Sequence, residues 1–189
     1  MPAADRLSRV LCAGFPFGAE PPIKATMSAT PPFRIGLGYD IHPLVAGRPC
    51  ILGGVPIPSE VGPDGHSDAD VLLHAAADAV LGAAGLRDIG HYFPNTDPSL
   101  KGMDSAVILA RAVQEAGRAG WKIGNLDLVL IGERPKVMAH VEAMRASVAK
   151  IAGIQPNQVG IKATTNEGMD SIGQGKALAV QAVCLVFAL

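Results

Sequence analysis

From residue 33 the chain alternates. Phe33, Ile35, Leu37 and Tyr39 stand against Arg34, Gly36, Gly38 and Asp40, a period of two that predicts a β-strand. Cys50 to Ile57 predicts a second strand or hairpin, with Gly53-Gly54 permitting the sharp bend. Gly62-Pro63-Asp64-Gly65 reads as a loop. Ser67 and Asp70 then resemble a capping box that opens a helix running to about Gly85. Residues 86–102 are mostly irregular, with a turn around Pro94 to Pro98. A second helix is predicted from about Asp104 to Ala119, closed by Gly120. Trp121 to Glu133 gives a strand after a turn at Lys122 to Asn125, with Leu126, Leu128 and Leu130 alternating against Asp127 and Val129. Pro135 opens a third helix to about Ala152, stopped by Gly153. Val159, Ile161 and Ala163 mark another strand, and Ala177 to Leu189 a last, buried one. Strands and helices interleaved in this way give an α+β (α/β layered) fold.

Residues 1–32 follow no such pattern. They hold six prolines (Pro2, Pro16, Pro21, Pro22, Pro31, Pro32) and are predicted to be a disordered or loosely attached leader. Val10 to Phe17 is too short and too broken for a secretory signal, which needs an apolar stretch of roughly 7–15 residues. The chain has 189 residues, 49% hydrophobic and 17% charged, with a net charge of -1. One globular domain over residues 33–189 accommodates that profile. A charge near zero without a basic run gives no footprint for nucleic acid, and no apolar stretch reaches the roughly 18 residues of a membrane span. Cys12, Cys50 and Cys184 form neither a disulfide framework nor a zinc knuckle, so a reducing compartment is the default. A cytoplasmic location is expected, with a plastid as the alternative if the leader is a transit peptide.

Any metal site must then come from carboxylates and the five histidines. Asp40 and His42 are two apart in a predicted strand and leave the same face. His74 lies in the first predicted helix, with Asp70 and Asp78 one turn to either side on the same face. Two imidazoles and one carboxylate suit zinc and leave a fourth position open, the catalytic pattern. Asp70 or Asp78 is placed to orient the His74 imidazole from outside the ligand set. Spacing alone does not decide between this site and a chance Asp-x-His pair beside a satisfied core histidine.

The surrounding blocks go further. Arg34-Ile35-Gly36-Leu37-Gly38-Tyr39-Asp40-Ile41-His42, Leu52-Gly53-Gly54-Val55-Pro56-Ile57-Pro58 and His66-Ser67-Asp68-Ala69-Asp70-Val71 leading to His74 resemble the 2-C-methyl-D-erythritol 2,4-cyclodiphosphate synthase family. So do Gly85-Leu86-Arg87-Asp88-Ile89-Gly90, Phe93-Pro94-Asn95-Thr96-Asp97-Pro98, Arg134-Pro135-Lys136 and Lys162-Ala163-Thr164-Thr165-Asn166-Glu167, in the family's order across residues 34–187. The resemblance implies a small mixed four-stranded sheet with helices on one face, chorismate-mutase-like, assembling as a homotrimer with active sites between subunits. It makes Asp40, His42 and His74 zinc ligands and Glu167 the holder of a second divalent ion, magnesium or manganese. His66 and Thr165 match positions that stabilise the transition state. Asp88 matches the residue that binds the methylerythritol hydroxyls, with Ser67, Ile89, Gly90, Phe93 and Asp97 along the same substrate. Gly132, Lys136, Val137, Met138, Ala163 and Thr164 match the cytidine pocket.

The reaction so implied is a step of the non-mevalonate route to isoprenoid precursors. The 2-phosphate of 4-diphosphocytidyl-2-C-methyl-D-erythritol 2-phosphate attacks its own β-phosphorus, closing a cyclic diphosphate and releasing CMP. A zinc-dependent phosphohydrolase of a nucleotide-diphosphate substrate is the alternative, and the product distinguishes them. Some positions depart from the family pattern. Asn95 stands where an Asp is common, Gln174 and Ser171 where an Arg and a Phe are common, and Gln181 where a Glu can occur. The last three match the lining of a cavity on the trimer axis, so weak or absent binding of a prenyl diphosphate is expected there.

Overall fold

A computed structural model of the chain describes residues 31–94 and 96–189. The leader expected over residues 1–32, apart from Pro31 and Pro32, lies outside the described residues, as does Asn95. The alternation from Phe33 becomes β1 (Phe33–Ala46), a strand of 14 residues. β1 runs antiparallel to β7 (Ala177–Ala188), from Phe33 opposite Phe187 to Pro43 opposite Ala177. β7 also pairs antiparallel with β5 (Trp121–Ile131), and β5 pairs parallel with β6 (Val159–Thr164). β4 (Val61–Pro63) borders the far end of β1, giving the order β4-β1-β7-β5-β6. The sheet therefore has five strands, not the expected four. The extra strand exists because β1 continues past His42, and Leu44 to Ala46 pair with Val61 to Pro63, which includes part of the predicted loop. β2 (Cys50–Leu52) and β3 (Val55–Ile57) make the predicted hairpin.

The inner face of the sheet is covered by α1 (Val71–Ala84), α3 (Ser105–Arg118) and α4 (Val141–Ala152), with Leu126, Leu128, Leu130, Val180, Ala182 and Cys184 in the shared core. The β1 alternation is inverted relative to a usual half-buried strand. Its large apolar side chains face outward, with Ile35 66% and Leu37 68% exposed, while Gly36, Gly38, Asp40 and His42 face α1. Glycine is needed here because the helix backbone lies on the strand. A β-carbon on Gly38 would sit 2.0 Å from the Ala75 carbonyl oxygen, and one on Gly36 would sit 2.1 Å from that of Ala79. Alanines Ala75, Ala76, Ala79 and Ala83 on α1 are buried throughout, so the two backbones approach without large side chains between them.

Three local expectations are corrected. Asp70, not Ser67, caps α1: its carboxylate accepts the Leu72 and Leu73 N–H groups while Ser67 Oγ accepts that of Ala69. The turn expected at Lys122 to Asn125 is a β-bulge in a continuous β5, where Gly124 is the extra residue and the Phe187 ring fills the side-chain space. The third helix starts at Val141 rather than Pro135, after a single 3-10 turn over Met138–His140, and the Val137 side chain ahead of that turn is buried in the core. Two short helices, α2 (Ile89–Tyr92) and α5 (Asp170–Gly173), complete the fold. Cys50 and Cys184 are buried free thiols, and no helix among the described residues is long and apolar enough to cross a membrane.

Candidate active site

β1 and α1 meet at Asp40, His42 and His74. His74 Nδ1 lies 3.0 Å from Asp40 Oδ2 and 3.3 Å from His42 Nε2, and His42 Nε2 lies 3.0 Å from Asp40 Oδ2. The far side of each ring fixes its proton. His42 Nδ1–H donates to the Asp64 carbonyl at 2.8 Å, which can only accept. On His74, Nε2 is 2.8 Å from Ser105 Oγ and 3.1 Å from Ser67 Oγ. The Ser105 hydroxyl donates its single proton to Asp68 Oδ1, so it can only accept from His74, placing that proton on Nε2. In the neutral rings, then, two nitrogen lone pairs and a carboxylate oxygen converge on one point. Such convergence is repulsive unless a cation or a shared proton occupies it.

With the rings protonated, the same three groups attract instead. Burial acts to raise the pKa of Asp40, but hydrogen bonds from His42 and His74, with their charge, hold its carboxyl well below the usual carboxylate range. Burial likewise acts to lower His42, but its bond and charge pairing with Asp40 raise it above the ordinary histidine value. The three side chains form the one group of potential metal-binding residues among the described residues, with ligand atoms all within 4.8 Å of one another. This donor set fits a divalent cation: hard oxygen and imidazole nitrogen, held on rigid elements and oriented from behind.

Neither Asp70 nor Asp78 supplies that orientation, which corrects the expectation for both. The Asp70 carboxylate is occupied by the N–H groups of Gly53 (2.9 Å), Gly54 (2.6 Å), Leu72 and Leu73. Asp78 Oδ1 accepts the Ile89 N–H at 2.8 Å and so seats α2. The residues that do the work, Ser105 and Asp68, lie 37 positions apart, beyond the reach of any local spacing rule. The sequence signal available was Asp104-Ser105 at the start of α3, beside the Asp68 block. Replacing Ser105 by alanine is expected to weaken the binding of a divalent metal by roughly 10–100-fold, the usual cost of losing a residue that orients a metal-bound histidine. Calorimetric titration of the metal-free protein measures this, and an unchanged affinity would refute the role.

A cavity of about 260 Å³ opens in front of the triad. It is lined by Asp40, His42, His66, Ser67, His74, Ile89, Gly90 and Phe93, all predicted site residues, and by Gly65, Leu100, Met103 and Ile108, which were not. His66 Nε2 is 3.1 Å from the Asp97 carbonyl. The Asp97 carboxylate caps the Pro98–Leu100 turn through Ser99, and the Asp88 carboxylate caps α2 through the His91 N–H. A second group of predicted residues gathers at the carboxyl ends of β5 and β6, where the Gly132 N–H donates to the Thr164 carbonyl. Thr165 Oγ1 donates to Glu167 Oε1 at 3.1 Å, and Glu167 adopts a positive φ of 51°. Ala163, Thr164, Lys136 and Met138 are exposed there, while the Val137 side chain is in the core. None of this second group lines the cavity.

The YgbB family model matches residues 33–187. The chain belongs to that family. Curated relatives named 2-C-methyl-D-erythritol 2,4-cyclodiphosphate synthase include one from a Synechococcus strain, 56% identical over 153 residues, covering 81% of this chain and 98% of the relative. One from Bordetella petrii is 53% identical over 155 residues, covering 82% and 96%. Among solved structures, a synthase of the same name with CDP bound is 39% identical with a TM-score of 0.75, covering 81% of this chain and 99% of that one. The bifunctional IspDF of Campylobacter jejuni gives a TM-score of 0.80 at 34% identity. The match covers 83% of this chain and 42% of that chain.

Proposed function

We propose that this YgbB-family chain is a 2-C-methyl-D-erythritol 2,4-cyclodiphosphate synthase, with residues 33–189 as the catalytic domain. It cyclises 4-diphosphocytidyl-2-C-methyl-D-erythritol 2-phosphate with release of CMP. The observation that carries the reading is the convergence of the Asp40, His42 and His74 lone pairs on a cavity of about 260 Å³, in a chain 56% identical over 153 residues to a synthase of that name. The attacking phosphate is already an anion, its second pKa lying near ~6, so no strong general base is required. Two anions must instead be brought together in a ring. Asp40, His42 and His74 would hold zinc, and Glu167 a magnesium or manganese ion. Bound there, the cations would neutralise phosphoryl oxygens and polarise the β-phosphorus. The protein holds the substrate bent, and orientation of this kind supplies several kcal/mol in well-aligned intramolecular reactions.

The remaining roles follow the same reading. His66 and Thr165 stabilise the transition state. Asp88, Ile89, Gly90, Phe93, Ser67 and Asp97 border the methylerythritol part, with the Asp88 carboxylate on its hydroxyls. Gly132, Lys136, Val137, Met138, Ala163 and Thr164 receive the cytidine. The two residue groups are joined in a homotrimer with a chorismate-mutase-like arrangement of sheets, the cytidine group coming from a neighbouring subunit. The outward apolar face of β1 and β7, with Phe33, Ile35, Leu37, Val183 and Phe187 exposed, supports this, since three copies would bury it.

The test is the product. Incubation with the substrate in ¹⁸O-water, followed by phosphorus NMR and mass spectrometry, is expected to give an unlabelled cyclic diphosphate and CMP. A linear phosphate carrying ¹⁸O would establish a hydrolase instead.

A further inference from the structure

Both histidines of the triad are oriented from one loop, residues 63–67. Its Asp64 carbonyl accepts the His42 proton, its Ser67 hydroxyl contacts His74, and its His66 lines the cavity. The loop is held by backbone bonds, the Asp64 N–H on the Pro43 carbonyl and the Gly102 N–H on the His66 carbonyl, each at 2.8 Å, and by one side chain from outside it that gathers three of its carbonyls. Arg48 Nε donates to the Pro63 carbonyl at 3.1 Å, and Arg48 Nη2 donates to the carbonyls of Gly65 at 3.0 Å and Ser67 at 3.1 Å. Arg48 Nη1 lies 3.4 Å from Asp64 Oδ1.

We infer that Arg48 is a positioning residue for the metal-binding histidines, acting through the backbone of residues 63–67. In an extended stretch successive carbonyls point to opposite sides. The Asp64 N–H bond to Pro43 sets that residue's N–H and carbonyl toward β1, and anchoring the flanking carbonyls of Pro63 and Gly65 on the guanidinium fixes the angle at which the Asp64 carbonyl meets His42. The same fork holds Ser67 beside His74. A planar guanidinium with donors in fixed directions meets three carbonyls at once, which a lysine ammonium on a flexible stem does not reproduce. The side chain is 32% exposed, so its value lies in direction rather than in a buried charge. Gly65 shows how close the loop lies to the triad, since a β-carbon there would come within 2.8 Å of the His42 ring.

The inference rests on the metal reading of Asp40, His42 and His74, and the experiment separates the two. Arg48→Met and Arg48→Lys are compared with the wild type by zinc calorimetry and by ¹⁵N NMR of the His42 tautomer in the metal-free protein at alkaline pH. Metal-free melting temperature serves as the fold control. The wild type is expected to hold its His42 proton on Nδ1. Both variants are expected to show a mixture of tautomers and zinc affinity lower by about 10–100-fold, with little change in melting temperature. An unchanged tautomer and affinity in the variants overturns the inference. So does full restoration by lysine, which would make charge and not the fork the cause, or a loss confined to melting temperature. If the wild type itself fails to bind zinc, the metal reading falls, and the tautomer measurement alone still decides for or against Arg48.

Discussion

Replacing His74 by alanine is expected to abolish zinc retention and turnover together. His74 provides the Nδ1 lone pair that faces Asp40 Oδ2 at 3.0 Å and His42 Nε2 at 3.3 Å, so its loss leaves two ligands for the ion. A bound cation contributes several kcal/mol to stabilising charge in phosphoryl transfer, and each 1.4 kcal/mol is about a factor of ten in rate. A fall in turnover of about 10³-fold or more follows from these magnitudes. The fold should survive. His74 is 7% exposed at the cavity wall, and water can enter to satisfy Ser67 and Ser105. Metal content by atomic emission, turnover, and the melting temperature of the metal-free protein separate these effects. Full activity with no bound zinc would end the assignment of Asp40, His42 and His74.

The elements were largely legible because their periods are clean. β1, the β2–β3 hairpin, α1, α3 and the cores of β5, β6 and β7 all follow from runs of alternating or helical apolar spacing. Which face of β1 turns inward was not legible. Apolar alternation ordinarily sends the large side chains inward, yet here Ile35 and Leu37 face out and glycines face in. The information lies in a pairing across about 40 residues, Gly36 and Gly38 with the alanine-rich α1, which no local window contains. β4 was missed for a similar reason, since three residues of strand are defined only by the partner they meet at Leu44 to Ala46.

The candidate site divides in the same way. Asp40 and His42 share a face by strand geometry, and His74 joined them through the resemblance rather than through spacing. Side chains that orient the ligands came from elsewhere. Asp70 and Asp78 had the right helical offset from His74, but helix capping and the seating of α2 claim their carboxylates. Ser105, Asp68 and Arg48 act through contacts between loops, so their roles depend on the tertiary fold and on nothing that precedes it in the chain.

The second large effect tests that fold directly. Gly38→Ala is expected to destabilise the protein and weaken metal binding at once. The added methyl would lie 2.0 Å from the Ala75 carbonyl oxygen and 2.7 Å from the Ala79 nitrogen, both backbone atoms of a buried helix that cannot rotate out of the way. α1 must shift away from β1, and overpacking of this kind costs roughly 1–3 kcal/mol, sometimes more. At about 3 kcal/mol the melting temperature should fall by roughly 6–12 °C for a domain of this size. Because Ala75 follows His74, the same shift draws the His74 ring away from Asp40 and His42, which ride on β1. Zinc affinity should therefore fall even at temperatures where the variant is folded. Gly82→Ala provides the control on the same helix. There a β-carbon meets only the Leu37 carbonyl at 3.8 Å and the Gly36 Cα at 3.9 Å, and alanine in a helix interior gains up to about 1 kcal/mol over glycine. That variant should be at least as stable as the wild type and bind zinc equally well. Equal behaviour of the two variants, by thermal melting and zinc titration, would show that β1 and α1 do not jointly set the geometry of the triad.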